Sequence, residues 1–186
     1  MTQEHIDKTV KEIKQSFRLY MNGITAQSLR EKGCEYGINW GVSLQHLQEI
    51  RSEYEQDPEL AQQLWQSNVR ECKLLALMLM PHDALTEDTA MEWIKQTKTQ
   101  EVAEIGVMQL FQFLPYAKNL ALKLIKADND IMLLYGYNII SRLLLQKTTL
   151  NKQEVSEFSQ YANAAVEHGS INVRHAAYNA LSRLEV

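Results

Sequence analysis

The stretch from Gly41 to Met80 constrains the fold more than any other part of the chain. It alternates apolar clusters, whose members lie three and four residues apart, with short polar joints. Residues at that spacing line one face of a helix, so the stretch predicts two amphipathic helices and the start of a third. Short joints place successive helices antiparallel. The apolar positions are Leu44, Leu47 and Ile50, then Leu60, Leu64 and Trp65, then Val69, Leu74, Leu75, Leu77, Met78 and Leu79.

The same helical spacing continues on both sides of this stretch, and no segment indicates a β-strand. We predict a first helix from Gln3 to Met21, ended by Asn22-Gly23, and a last helix from Ser170 onward with small residues that allow close packing. Side chains that favour helix starts divide the rest of the chain. The predicted starts are Thr25, Ser43, Asp57-Pro58, Ser67 or Asn68, Thr86, Thr97 or Thr99, Pro115, Asp128 to Asp130, Asn151 and Ser170.

Length and composition indicate a globular protein. The 186 residues, of which 45% are hydrophobic, are enough for one domain, residues 1–186, with its own core. No run approaches the ~18 apolar residues that a membrane span needs, and the charged N-terminus lacks the apolar core of a secretory signal. Two cysteines, Cys34 and Cys72, do not make a disulfide framework. We therefore expect a cytoplasmic protein with reduced thiols.

The net charge of −4 counts against strong nonspecific binding to nucleic acid, because Lys and Arg supply most of that affinity. The charges are spread along the chain: residues 68–126 hold seven basic and seven acidic groups, and residues 127–186 hold five and six. A surface that binds DNA therefore depends on how the helices sort these charges onto faces.

The core stretch also resembles a known family. The segments GVSLQHL (41–47) and DPELAQQLWQSNVRECKLLALML (57–79) resemble the core of AlkD-type DNA alkylation repair proteins, and the resemblance extends with falling clarity from about Arg18 to about Leu145. Proteins of this family are DNA glycosylases built from HEAT-like helical repeats. The resemblance implies an all-α fold, a right-handed α-α superhelix (HEAT-like helical repeat solenoid), that binds duplex DNA on its concave face.

The resemblance also indicates where catalysis would take place. The family site has a Trp, an Asp four residues later at the start of the same helix, and an Arg from a later helix. A carboxylate there stabilises the oxocarbenium character that develops when an alkylated base leaves its sugar. In this sequence the Trp position falls on Gln100, the Asp position on Glu104 and the Arg position at or next to Leu134. Trp93 is a possible substitute aromatic, although we expect it to lie in the core.

These departures leave two hypotheses within the family. One is a glycosylase with an altered site that uses Glu104 as its carboxylate. The other, which the loss of the aromatic and the guanidinium favours, is a weakly active or noncatalytic protein that recognises alkylated or structurally distorted duplex DNA. The candidate DNA contacts are Gln100 and cations of the second half, with Arg174 as a further candidate: Lys98, Lys118, Lys123, Lys126, Arg142 and Lys147.

The alternative from a different class is a protein-interaction scaffold, because helical solenoids commonly bind other proteins on their concave surfaces. The acidic net charge fits this alternative better than it fits DNA binding. The five histidines show no metal spacing, and the chain has no Gly-rich phosphate loop and no nucleophile elbow. We therefore predict no metal and no cofactor, and we expect a monomer that does not associate with membranes.

Overall fold

The computed structural model describes residues 2–34 and 36–184. Within these ranges the protein has eleven α-helices and no strand, and none of the helices combines the length and the apolar character that crossing a membrane requires. Two short 3-10 turns follow α1 and α7, at Phe17–Leu19 and Phe111–Phe113. The helices are α1 Gln3–Ser16, α2 Gly23–Glu31, α3 Leu44–Ser52, α4 Pro58–Trp65, α5 Arg70–Leu79, α6 Glu87–Gln96, α7 Gln100–Gln109, α8 Ala117–Leu124, α9 Asp130–Leu145, α10 Lys152–His168 and α11 Ile171–Leu184.

Most of the predicted helix starts are confirmed. Each of the confirmed caps accepts a hydrogen bond from a backbone N–H three residues ahead, and Asn151 forms a full capping box with Glu154. The confirmed caps are Ser43, Asp57, Thr86, Thr99, Asn129 (within the start predicted at Asp128 to Asp130) and Asn151.

Two predicted caps are wrong, and each has a physical reason. Asn22 caps α2 instead of Thr25, because the Asn22 Oδ1 atom accepts from the Thr25 N–H at 3.0 Å. Neither Ser67 nor Asn68 caps α5, which starts after Val69 without a side-chain cap. The buried start of α5 is held by a backbone bridge between Val69 and Ile38 instead. The N–H group of Arg70, the first residue of the helix, has no acceptor within the helix, and it donates to the Ile38 carbonyl at 2.9 Å.

The first and seventh helices are shorter than predicted. The predicted helix from Gln3 to Met21 ends at Ser16 and continues only as a 3-10 turn, and α7 ends at Gln109 rather than near Leu114. At Leu110 the backbone leaves the helical region, with φ −136° and ψ −62°. Tightened 3-10 ends of this kind are common where a chain turns sharply into the next element.

The chain forms two compact units, Met1–Leu85 and Thr86–Val186. In the first unit, α5 packs along α4 and also contacts α3, and α4 packs on α1. Every residue of α5 except Lys73 is buried. The largest fully buried side chains of this unit outside α5 come from α1 and its 3-10 turn, from α3 and from α4, and those of α3 and α4 confirm the apolar faces predicted there: Ile13, Phe17, Leu47, Ile50, Leu60, Leu64 and Trp65.

A buried ion pair fixes the loop between α2 and α3. The Glu71 carboxylate, which is fully buried, accepts hydrogen bonds from the N–H groups of Trp40 and Val42, both at 3.2 Å. The Arg70 Nη1 atom donates to the Glu71 carboxylate at 3.0 Å and to the Val42 carbonyl at 2.9 Å. We call this set of four residues the loop clasp. It satisfies two buried charges and the backbone of an irregular segment together.

Gly41 lies in the middle of the clasped loop. Its backbone φ is +71°, a value that residues with a side chain rarely adopt. A Cβ atom there would lie 2.1 Å from the Asn22 carbonyl oxygen. The close approach is held by a hydrogen bond from the Asn22 N–H to the Trp40 carbonyl at 2.9 Å.

In the second unit, α9 is the central helix and packs on α6, α7, α8 and α11, while α10 packs on α11. The small residues Ala176, Ala177 and Ala180 of α11 are buried, as the sequence predicts. The largest buried side chains of the unit are Trp93, Phe111, Tyr135, Tyr137 and Phe158.

Three helices of the second unit run parallel. The Tyr135 hydroxyl of α9 lies 3.1 Å from the Thr97 hydroxyl just before α7, and Gln146 after α9 donates to Gln112 after α7 at 2.7 Å. The start of α9 therefore lies beside the start of α7. Near the other end, Arg183 of α11 contacts Ser141 of α9. The starts of α7, α9 and α11 consequently lie at one end of the unit, where the positive ends of their dipoles are found.

Candidate nucleic-acid interface

The start of α7 holds the predicted carboxylate on the protein surface. Glu104 is exposed, and its Oε1 atom accepts a hydrogen bond from the Gln100 Nε2 atom at 2.6 Å. The residue in the family's Trp position thus binds the residue in the Asp position. A carboxylate in open solvent, already hydrogen-bonded to an amide, stabilises a developing cation far less than one in a water-excluded pocket.

The position expected for the family Arg is part of the core. Leu134 is only 3% exposed and faces inward in the second turn of α9. A guanidinium at this position would have to leave water for the core, which is costly for a charged group. The structure therefore brings Gln100 and Glu104 together but provides no cation from position 134.

The aromatic side chains do not replace the missing Trp. Trp93 is fully buried in α6, as expected for a core residue, and its carbonyl accepts a hydrogen bond from the Thr97 hydroxyl at 2.9 Å. Tyr36 and Trp40, in the loop before α3, are half-buried. Glu101, beside Glu104, is also half-buried.

Three of the predicted DNA contacts are lysines of α8 and its end, and all three form ion pairs within the protein. Lys118 contacts Glu154 at 2.9 Å, Lys126 contacts Glu157 at 2.6 Å, and the more exposed Lys123 contacts Glu87 at 3.7 Å. The hydrogen bond from Lys118 lowers the pKa of the Glu154 carboxyl. These glutamates compete with phosphate for the same cations and reduce the positive potential of this surface.

The other three predicted cations lie at two different ends of the unit. Lys98 is exposed directly before α7, and Arg142 and Lys147 are exposed at the far end of α9. Since α9 has 16 residues, these ends are about 24 Å apart along the helix. No ion pair to any of the three is found among the described residues. The predicted cations therefore do not form one cluster.

A groove along α11 combines an exposed cation with an exposed aromatic ring. It has a volume of about 340 Å³ and is lined by Val166, Ile171, Arg174, His175 and Tyr178. Arg174 and His175 are exposed, and Tyr178 is 63% exposed. Among the described residues, the lining includes no carboxylate and no acid lies within ion-pair distance of Arg174. This groove offers a cation for a phosphate and an aromatic face for a base.

Arg174 was a candidate from the sequence, whereas His175 and Tyr178 were not. The signal that identifies them is helical spacing: Ile171, Arg174, His175 and Tyr178 lie at i, i+3, i+4 and i+7, opposite the buried alanines of α11. Arg174 and Lys98 both belong to the end of the unit where α7, α9 and α11 start. Positive helix ends at that place favour a bound anion.

The described residues contain no group of three or more His, Cys, Asp or Glu side chains that are placed to hold a metal ion.

Cys34 and Cys72 are not joined in a disulfide. Cys72 is buried, and this burial raises the pKa of its thiol to about 11, so the thiol stays protonated and unreactive near neutral pH.

Comparison with known proteins identifies the family. A family model described as DNA alkylation repair enzyme matches residues 12–184. The chain belongs to the DNA alkylation repair family. The family match extends beyond the segment 18–145 that carries the sequence resemblance, and it includes α11 and its groove. Among curated proteins, none has a significant sequence match to this chain.

One solved structure gives the fold relationship. It belongs to a protein described as "A new family of proteins related to the HEAT-like repeat DNA glycosylases with affinity for branched DNA structures", with a TM-score of 0.84 and 16% sequence identity. The alignment covers 94% of this chain and 74% of that chain. The chain therefore has the all-α, HEAT-like helical-repeat fold that the sequence predicts.

Proposed function

We propose that this protein binds duplex DNA that is alkylated or structurally distorted, including branched DNA, and does not excise bases at a useful rate. The DNA surface is the end of the second unit where α7, α9 and α11 start, with Arg174, His175 and Tyr178 as its centre and Lys98 beside α7. The protein works as a monomer in the cytoplasm and needs no cofactor.

The observation on which DNA binding rests most directly is the α11 groove. Arg174 has no acidic partner among the described residues, and Tyr178 exposes most of its ring beside it. A guanidinium binds phosphate in two hydrogen bonds, and stacking of a base on an aromatic ring contributes roughly 1–3 kcal/mol. Membership of a family described by DNA alkylation repair, and the branched-DNA affinity described for the structural relative, agree with this use of the groove.

The absence of efficient excision rests on the start of α7. Glu104 is exposed and hydrogen-bonded to Gln100, and the position of the family Arg falls at or next to the buried Leu134. An exposed carboxylate next to a phosphate backbone, without the guanidinium of the family site beside it, repels the DNA rather than positioning a water molecule for attack.

The test compares two variants that remove the same charge. Fluorescence anisotropy with a labelled duplex, from low to physiological salt, gives the affinity and its salt dependence. Arg174→Gln should weaken binding about fivefold to tenfold and make the slope of log affinity against log salt shallower by about one, as expected when one phosphate contact is lost. Lys123→Gln removes a cation that is already paired with Glu87, so its affinity should stay within about twofold.

Equal losses in the two variants would mean that only net charge matters, and this would contradict the assignment of the groove. If the wild-type protein binds no duplex even at low salt, the proposal of DNA binding fails. In that event the second candidate function, a protein-interaction scaffold, is favoured. The lysines of α8 support it, because their ion pairs with glutamates leave the surface around α8 close to neutral.

A further inference from the structure

The first unit exposes a set of aliphatic side chains that its fold does not use. Leu19, Met21 and Ile24 lie within one stretch of six residues, and their exposed fractions are 81%, 62% and 84%. The 3-10 turn after α1 explains the arrangement, because it buries Phe17 completely and turns the following residues outward. We call Leu19, Met21 and Ile24 the aliphatic edge. Large aliphatic groups clustered on a surface usually mark a binding site.

The aliphatic edge borders a groove with a volume of about 420 Å³. Leu19 and Met21 line it on one side, and Ser43 and His46 of the α3 start line it on the other. Tyr20 stacks on His46, with ring centroids 4.5 Å apart and an interplanar angle of 24°. The groove therefore combines a stacked aromatic pair with exposed aliphatic side chains.

The electrostatic character of the groove fits an anionic occupant. Two helix starts converge on it, because Asn22, the cap of α2, and Ser43, the cap of α3, both line it. Their dipoles place partial positive charge there. The lining includes His46 and no carboxylate among the described residues, and the exposed Arg18 directly precedes Leu19. An occupant that is anionic and also presents apolar faces matches both features.

We propose that the aliphatic edge contacts exposed base faces at a branch point of DNA, with the adjoining phosphates at the groove between the starts of α2 and α3. This inference rests on the proposed function, and it assigns recognition of DNA structure to the first unit. Within a continuous duplex each base is covered by its neighbours, whereas a branch point leaves base faces open. Leu, Ile and Met side chains are the kind that proteins insert at unstacked base steps.

The edge therefore acts on selectivity and not on general affinity. At a branch point, an aliphatic side chain can contact a base face that is already open. In a continuous duplex the protein must first separate two stacked bases, which costs roughly a few kcal/mol. Removal of the edge should weaken binding to branched DNA and leave binding to continuous duplex nearly unchanged.

The experiment measures affinity for a three-way junction with unpaired bases and for a continuous duplex of equal length and charge. The double variant Leu19→Ser/Ile24→Ser changes only exposed side chains, so the fold should be kept, and circular dichroism checks this. We expect its affinity for the junction to fall about tenfold and its affinity for the duplex to stay within about twofold. The control is Leu145→Ser, which removes an exposed leucine of the second unit and should change neither affinity.

The inference is overturned if the double variant binds the junction as well as the wild type does, or if both DNA affinities fall alike. Sedimentation of the DNA-free protein supplies a further outcome. If the wild type is a dimer that the double variant dissociates, with DNA binding unchanged, the edge is an interface between copies, and the inference is wrong. Wild-type protein that binds the duplex but gains nothing from the junction overturns this inference alone. Failure to bind either DNA overturns the proposed function as well.

Discussion

The loop clasp and the start of α7 each contain a glutamate beside a polar partner, and they differ in how far water is excluded. Glu71 is fully buried and accepts from two backbone N–H groups and Arg70, whereas Glu104 is exposed and accepts from Gln100. The first carboxylate holds a loop in place, and its loss leaves the buried charge of Arg70 without its partner. The second can be replaced at little cost to the fold. The resemblance to the repair family is thus strong in the part of the chain that builds the repeats and weak where the family's chemistry would take place.

Of the substitutions that compare these two regions, Glu71→Gln should lower the free energy of unfolding the most. This substitution leaves the Arg70 guanidinium buried without its counter-charge and weakens the hydrogen bonds that hold Trp40 and Val42. We expect a loss of about 3–5 kcal/mol in the free energy of unfolding, measured by urea denaturation monitored by circular dichroism. A loss below about 1 kcal/mol would contradict the account of the clasp.

Gly41→Ala should have the next largest effect. The added Cβ atom would lie 2.1 Å from the Asn22 carbonyl oxygen, and the backbone has φ +71°, so the loop must move and the hydrogen bond between Asn22 and Trp40 must break. We expect a loss of about 2 kcal/mol or more in the same denaturation experiment. Gly23→Ala is the control, because a Cβ atom there meets nothing within 4 Å, and it should be nearly neutral.

Tyr135→Phe should have a smaller effect, and it tests how firmly the start of α7 is held. The Tyr135 hydroxyl is completely buried against the Thr97 hydroxyl, and this burial raises its pKa above the ordinary value for tyrosine. Phenylalanine keeps the packing, and Thr97 keeps its bond to the Trp93 carbonyl. We therefore expect a loss of about 0.5–1.5 kcal/mol in the free energy of unfolding. A loss above about 3 kcal/mol would show that the hydroxyl supports more of the unit than this one contact.

The smallest effect is expected from Glu104→Gln. The side chain is exposed, so the free energy of unfolding should change by less than about 0.5 kcal/mol. Duplex affinity at low salt should stay the same or rise by about twofold, because one negative charge near the phosphates is removed. Weaker DNA binding in this variant would mean that the Glu104 carboxylate itself contacts the DNA as an acceptor.

Much of the fold was predictable from local sequence, because spacing of apolar residues and capping side chains act within one helix. Ser43, Asp57 and Asn151 mark helix starts in the sequence and in the structure. The start of α5 was not predictable in this way. It depends on a backbone bridge to Ile38, about thirty residues earlier in the chain, and no local pattern contains that information.

The candidate site was predictable only in part, for a similar reason. The resemblance placed Gln100, Glu104 and Leu134, and the structure adds their burial and hydrogen bonds. A lysine in the sequence gives no sign of whether a glutamate of another helix neutralises it, as Glu154 does to Lys118. The α11 groove was missed because it also depends on Val166 of α10, and the way two helices pack side by side is not contained in a local pattern.

The most direct test of the central claim is release of 3-methyladenine and 7-methylguanine from methylated duplex DNA, measured under conditions where binding of the same duplex is also recorded. We predict that the wild-type protein binds this DNA and releases neither base faster than a control without protein. Release above the control that disappears in Glu104→Gln would contradict the account, because it would show that the exposed carboxylate performs the excision chemistry.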